Sequence, residues 1–214
     1  GSFIGAEVAA SLAQLDVPVT MVFPESRLLE RVVPEELSHS LHQKYKANGI
    51  DILSNTTPRS LHRDGAVTSA ILDNGQSLET SLVVMGVGIE LNTDLARKAG
   101  LDIWEQDAVQ VDEMLRTSDP DIYAAGDIAA WPDPTFGRLR VEHWDVAWNQ
   151  GMQAGRNMAG QKEPYTVLPY FFSDLFDLSF EVWGNLTQWD QTICRGDIAK
   201  DSFAFYYFDR GILV

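Results

Sequence analysis

The 214-residue sequence predicts an α/β chain with more than one folding unit, and three observations carry that expectation. Apolar residues twice recur at helical spacing and then run on as a short strand-like segment. Two further strand-like segments follow, meeting at an Asn-Gly turn. Beyond Pro164 the pattern changes to short strands alone, which sets a boundary near Gln161.

Taken in order, Ile4, Val8, Leu12 and Leu15 mark a helix, and Val17 to Phe23 (VPVTMVF) reads as a buried strand. Pro34 and Glu35 open a second helix whose Leu37, Leu41 and Tyr45 share one face. Gly49 stands where a helix-terminating glycine belongs, and Ile50 to Leu53 is the next strand. Ala66 to Leu72 and Ser77 to Val84 form a β-meander through Asp73-Asn74-Gly75, with Asn-Gly supplying the positive backbone angles of a tight turn. Thr93 to Gly100 is a short helix, Ala108 to Val111 and Ile122 to Ala125 are strands, and Ala147 to Met158 is a helix closed by Gly160. Short strands follow at Phe180 to Val182, Thr192 to Cys194 and Phe203 to Phe208, and an Asp209-Arg210-Gly211 turn begins a return strand. The chain opens inside a motif and ends in an unfinished hairpin, so it is expected to be part of a longer protein. The open strand edge makes a homodimer an expectation as well.

Composition narrows the chemistry. A net charge of -15 excludes a nucleic-acid surface, which needs clustered Lys and Arg, and suits a basic partner better. One cysteine, Cys194, forms neither an internal disulfide nor a CxxC pair, and four scattered histidines give no metal spacing. The apolar run Leu82 to Val87 is far shorter than the roughly 20 residues of a membrane span.

Two motifs carry function. Gly1-Ser2-Phe3-Ile4-Gly5-Ala6-Glu7 fits the tail of a Gly-x-Gly-x-x-Gly turn, with Gly5 as the third glycine and Ser2 at the second. Small residues there let the backbone approach a pyrophosphate at a helix N-terminus, although an ordinary helix start is an equal reading of the string alone. Glu25 lies near the roughly 20-residue spacing at which a carboxylate receives ribose hydroxyls, which favours NAD. Arg27 and Arg31 are the counter-argument, as groups that attract a 2'-phosphate, and a solvated surface carboxylate is the plain alternative for Glu25. The second motif, Thr117 to Asp127 (TSDPDIYAAGD), reads as a strand delivering Gly126 and Asp127 at its carboxyl end, where doubly wound sheets bind ligands. Capping of a following helix would explain Asp127 but not the whole string.

The string ending Ala125-Gly126-Asp127 resembles the second FAD motif of the two-dinucleotide-domain flavoproteins. Phe23-Pro24-Glu25 and Arg138-Leu139-Arg140-Val141-Glu142-His143-Trp144 resemble apoptosis-inducing factor, and Glu142-His143-Trp144 with its helix also resembles oxygenase-coupled ferredoxin reductases. The resemblance implies a Rossmann-like NAD-binding domain with a β-meander (1–86), the C-terminal part of a FAD-binding domain (87–161) and a truncated α+β interface domain (162–214). By position it implies that Gly1, Ile4 and Gly5 form the dinucleotide turn, that Phe3 and Glu7 lie beside the nicotinamide, and that Glu25 and Arg31 hold the adenosine ribose. It also implies that Gly88 and Glu90 flank the cofactor, that Asp127 holds the flavin ribitol beside Gly126, and that Glu142, His143 and Trp144 lie at the nicotinamide and flavin contact. Phe172 stands where the family's usual Trp walls the flavin, and Leu91 replaces the usual proline before Asn92.

The implied function is a FAD-dependent NADH oxidoreductase that passes hydride from NADH to flavin and electrons on to a ferredoxin or another acceptor. No side chain acts as catalytic acid or base. The alternative is an NADH-responsive redox-sensing or assembly protein of the apoptosis-inducing factor type, with a docking partner and slow turnover. A disulfide reductase would need a thiol pair that these residues lack. The cytoplasm is the expected compartment, with the mitochondrion as the alternative.

Overall fold

A computed structural model describes residues 2–186 and 188–214. The chain packs as two compact units: Gly1–Gly88 with Ser173–Phe180 and Trp189–Val214, and Ile89–Phe172 with Glu181–Gln188.

Unit 1 begins with helix α1 (Phe3–Gln14), strand β1 (Thr20–Val22), helix α2 (Glu35–Ala47) and strand β2 (Asp51–Leu53). β1 and β2 pair in parallel, Thr20 opposite Asp51 and Val22 opposite Leu53. The buried side of α1 is Ala6, Ala9 and Ala10, whereas Ile4 and Leu15 are 63% and 72% exposed. The spacing of Ile4, Val8, Leu12 and Leu15 therefore identifies the helix but not its inward face. Small side chains permit a closer approach to the core than a stripe of large ones. α2 buries the expected Leu37, Leu41 and Tyr45, and Gly49 follows it at φ +79°.

The meander has three strands, β3 (Pro58–Asp64), β4 (Val67–Leu72) and β5 (Ser77–Thr80), all antiparallel. β3 had no sequence signal. Six of its seven residues are exposed, so it lacks the alternating apolar pattern by which a strand is read. The β4–β5 turn differs from a two-residue Asn-Gly turn. In the loop Asp73-Asn74-Gly75 only Gly75 has positive φ, and the Leu72 N–H donates across it to the Gln76 carbonyl at 2.8 Å. This is a three-residue hairpin loop with one left-handed glycine. β5 also stops at Thr80 instead of continuing to Val84. The Thr80 hydroxyl donates to the Leu82 carbonyl and accepts from its N–H, a local arrangement that competes with the ladder.

Unit 2 holds the short helix α3 (Asp94–Lys98), strands β6 (Val109–Gln110), β7 (Ala129–Asp133) and β8 (Gly137–Leu139), and helix α4 (Trp144–Met158). β6 runs parallel to β7, and β8 antiparallel to it. Residues 122–125 are not the expected strand. Tyr123 makes only an isolated bridge to Arg116, and the strand comes after the Gly126 turn, as β7. Asp127 is thus followed by a strand, which removes the helix-capping reading. Trp131, Leu115, Val111, Val146 and Tyr165 are buried together as the core of this unit.

Strands β9 (Tyr170–Leu175) and β10 (Leu178–Trp183) form a hairpin, and its tip, 173–180, belongs to unit 1. Leu175 and Leu178 join the unit 1 core beside Phe23, Leu28, Leu41 and Tyr45. The final sheet is β11 (Gln191–Asp197), β12 (Ser202–Asp209) and β13 (Ile212–Leu213) in that order. Its last turn is the expected one, with Arg210 and Gly211 both at positive φ between paired Asp209 and Ile212. No helix among the described residues is long and apolar enough to cross a membrane.

Candidate functional site

In unit 1 the N-terminus of α1 is built as a close backbone junction. The Ser2 hydroxyl donates to the Gly86 carbonyl at 2.9 Å and accepts from the Gly5 N–H at 3.4 Å, capping the helix. A Cβ placed on Gly86 would lie 3.0 Å from Ser2 Oγ and 3.3 Å from Gly5 N, so a larger residue would require the start of α1 to give way. Ile4 is exposed beside this junction, and Gly1 lies outside the described residues. Phe3 packs at 5.8 Å from the Phe180 ring. Glu7, one turn on, accepts a 2.6 Å hydrogen bond from the hydroxyl of Ser173, which is 1% exposed. Ser173 was not singled out in the sequence, because 166 residues separate it from its partner.

Glu25 lies past the end of β1 with its side chain only 16% exposed, bonded through Oε1 to Arg31 Nε at 2.9 Å. The two proposed ribose ligands are therefore an ion pair, and Arg27 turns instead toward Glu30 and Glu35. Gly88 is exposed at φ +103°.

Unit 2 holds the second group of residues. Gly126 is buried at φ +80°, and a Cβ there would sit 3.3 Å from Ala147 Cβ at the start of α4. Its N–H donates to Gln150 Oε1 at 2.8 Å and its carbonyl accepts from the Ala129 N–H at 2.8 Å. The Asp127 carbonyl accepts from Arg140 Nη1 at 3.4 Å, and the same Nη1 donates to Glu142 Oε1 at 2.7 Å. The backbone of the turn is thus held from three directions while the Asp127 side chain is exposed. Glu90 is exposed elsewhere on the unit.

His143 precedes α4 with its ring 4.5 Å from that of Phe171. Its Nδ1 is buried with no hydrogen-bond partner among the described residues. Burial lowers its pKa below the ordinary 6.5, against the opposing pull of Asp127, Glu142 and Asp145. The folded protein therefore prefers the neutral ring. Because the unfolded chain binds that proton more readily, stability is lost as pH falls below the ordinary value. Thermal unfolding of unit 2 between about pH 7 and about pH 5 should show a falling midpoint, and His143→Phe should flatten that slope. Trp144 faces solvent at 70% exposure, stacked on Trp148 at 5.7 Å, and Phe172 is 54% exposed.

A buried ring nitrogen without a partner among the described residues, a left-handed glycine turn and an exposed carboxylate suit a polyhydroxylated cofactor, so these residues fit the flavin that the resemblance implied. Among the described residues no cluster of His, Cys, Asp or Glu is arranged to hold a metal ion.

The glycine junctions at Ser2–Gly86 and at Gly126 lie at the two motifs whose residues resemble those of pyridine-nucleotide flavoproteins. The chain belongs to the pyridine nucleotide-disulphide oxidoreductase family, which it matches over residues 1–151. It is 36% identical over 208 residues to the ferredoxin–NAD(+) reductase component of the anthranilate 1,2-dioxygenase system of Burkholderia cepacia, covering 96% of this chain and 50% of that protein. It is 38% identical over 227 residues to monodehydroascorbate reductase 3 of Arabidopsis thaliana, covering 100% of this chain and 50% of that protein. Among solved structures, the ferredoxin reductase for the CYP199A2 system from Rhodopseudomonas palustris matches with a TM-score of 0.90 at 32% identity, over 100% of this chain and 53% of that one. The chain spans about half the length of the curated relatives it matches.

Proposed function

We propose that the chain is the NADH-binding and flavin-contacting part of a FAD-dependent NADH oxidoreductase that delivers electrons to a ferredoxin or another acceptor. In this reading residues 1–86 are the NAD domain, 87–161 the C-terminal part of the FAD domain and 162–214 the interface domain, in a cytoplasmic protein. The Gly126–Asp127 turn carries the reading: the Gly126 N–H and both carbonyls have partners within the fold, and the exposed carboxylate is left to accept from ribitol hydroxyls. FAD, when bound, accepts hydride from NADH and passes electrons on singly or in pairs.

The side chains supply binding and orientation. The α1 N-terminus offers backbone N–H groups and partial positive charge to a pyrophosphate. Glu7, held by Ser173, accepts from the nicotinamide carboxamide, and neutral His143 presents a ring plane rather than a cation. Glu25 accepts from the adenosine ribose beside Arg31, with which it pairs, and a carboxylate in that place favours NADH. Glu25→Ala should weaken NADH binding roughly 10-fold, the size of one lost hydrogen bond to a charged group. Calorimetric titration with NADH checks this, and unchanged affinity removes the ribose assignment.

A ferredoxin acceptor is favoured by the relatives from oxygenase systems, and a small oxidised acceptor by the monodehydroascorbate reductases. The apoptosis-inducing factor reading, with slow turnover and a docking partner, rests on the strings Phe23-Pro24-Glu25 and Arg138 to Trp144. Visible absorption spectra recorded without oxygen, before and after NADH, test the proposal. A flavin spectrum that bleaches and recovers rapidly on adding oxidised ferredoxin supports the reductase; a stably reduced flavin supports the sensor. FAD that binds but does not bleach with NADH defeats both.

A further inference from the structure

Gln150 lies on α4 with 0% exposure, in a buried stripe otherwise made of Val146, Ala154 and Asn157. Its Oε1 accepts from the Gly126 N–H at 2.8 Å, and its Nε2 is buried with no partner among the described residues. The amide orientation is dictated by chemistry, because the reversed rotamer would set an NH2 group against an N–H donor. An unpaired buried donor destabilises the fold, a cost that a leucine or methionine filling the same space would not carry. What offsets it is the bond to Gly126.

That bond acts where nothing else on α4 can. Ala147 crowds the place a Gly126 side chain would take, its Cβ 3.3 Å from where a Gly126 Cβ would sit, and the Ala129 N–H holds the Gly126 carbonyl. The Gly126 N–H, held by Gln150, fixes the Ala125–Gly126 peptide, and the Ala129 N–H fixes the next one, which leads into Asp127.

We propose that Gln150 is a positioning residue for the flavin ribitol: it fixes the Gly126–Asp127 turn through the Gly126 N–H and so presents the Asp127 carboxylate in one orientation. This rests on the flavin reading above. Gln150 acts through the turn and contacts neither hydride donor nor acceptor.

The test compares wild type with Gln150→Leu and Gln150→Glu, the second of which keeps an acceptor oxygen for Gly126. Two quantities are read on the purified chain: FAD affinity by quenching of flavin fluorescence, and hydrogen exchange of the Gly126 amide without FAD. Gln150→Leu should bind FAD about 10-fold or more weakly, the usual effect of removing a side chain that orients a ligand, and should speed Gly126 exchange by a similar factor. Gln150→Glu should recover most of both. If Gln150→Leu does not fold, Gln150→Met, which keeps the volume without the amide, takes its place. A leucine variant that binds FAD as tightly as wild type overturns the role of Gln150 alone. Equal losses in Glu and Leu variants, matching their losses of stability, overturn it too. A wild-type chain that takes up no FAD defeats a self-sufficient flavin site in these residues, and a Gly126 amide that exchanges no faster in Gln150→Leu overturns the positioning role whether or not FAD binds.

Discussion

Tyr45→Ala should destabilise unit 1 by about 3–5 kcal/mol, the usual cost of removing a large ring from a core that only partly collapses. Tyr45 is 0% exposed, and its ring stands edge-on to Phe176 at 5.0 Å, joining α2 to the tip of the β9–β10 hairpin. Its hydroxyl donates to the Ala6 carbonyl at 2.9 Å in α1. Burial, and then the charge of Glu7, push the phenol pKa up, so the group remains a neutral donor. Tyr45→Phe keeps the ring and should cost only about 1 kcal/mol for the lost hydrogen bond. The difference between the two variants separates packing from polarity. Because Ala6 lies between Gly5 and Glu7, the alanine variant should also weaken NADH binding, whereas the phenylalanine variant should do so slightly. Hydrogen exchange across residues 2–14 and 35–47, with NADH titration, reads both effects. Slow exchange preserved in Tyr45→Ala would mean that the core of unit 1 does not depend on this ring.

What the sequence disclosed follows from which contacts are local. α2 and α4 were legible because their apolar spacing and terminal glycines lie within one segment, and the Arg210-Gly211 turn because its geometry is set by two adjacent residues. β3 was illegible since an exposed strand carries no inward stripe, and residues 122–125 misled because a short apolar run reads as a strand whether or not a neighbour pairs with it. α1 was found by its large residues yet buries its alanines, because the depth of packing is decided by the partner surface.

The candidate site divides the same way. Glu7, Gly126 and Asp127 stood out in motifs, but the groups that hold them did not. Gln150 is 24 residues from Gly126, and Ser173 is 166 from Glu7. The one local clue was the buried stripe of α4. Two amides, Gln150 and Asn157, occupy core-facing positions in it, and a polar residue on an inward stripe implies a specific partner.

Asn157 carries the second large effect. Its side chain is 4% exposed and all its polar capacity is used. Nδ2 donates to the carbonyls of Met114 at 2.9 Å and Glu163 at 2.8 Å, while Oδ1 accepts from the Glu163 N–H at 2.9 Å and from Gln153 Nε2 at 3.2 Å. The residue thus clamps the 112–116 turn and the chain beyond α4 to the helix end, two residues before Tyr165 enters the core against Trp131 at 5.8 Å. Asn157→Leu preserves volume but leaves these backbone groups short of partners, and should destabilise unit 2 by about 2–4 kcal/mol. Asn157→Asp tests the same clamp by charge. It keeps the acceptor for the Glu163 N–H but sets a carboxylate oxygen against two carbonyls, so its loss should match or exceed that of leucine at neutral pH. That loss should shrink as the pH drops through the carboxyl pKa, which repulsion raises, because the protonated acid regains one donor. Thermal melts read through tryptophan fluorescence at pH 7 and at about pH 5 separate the two variants. An aspartate variant whose deficit does not shrink on acidification would show that the Nδ2 donors are not what holds the 163 segment in place.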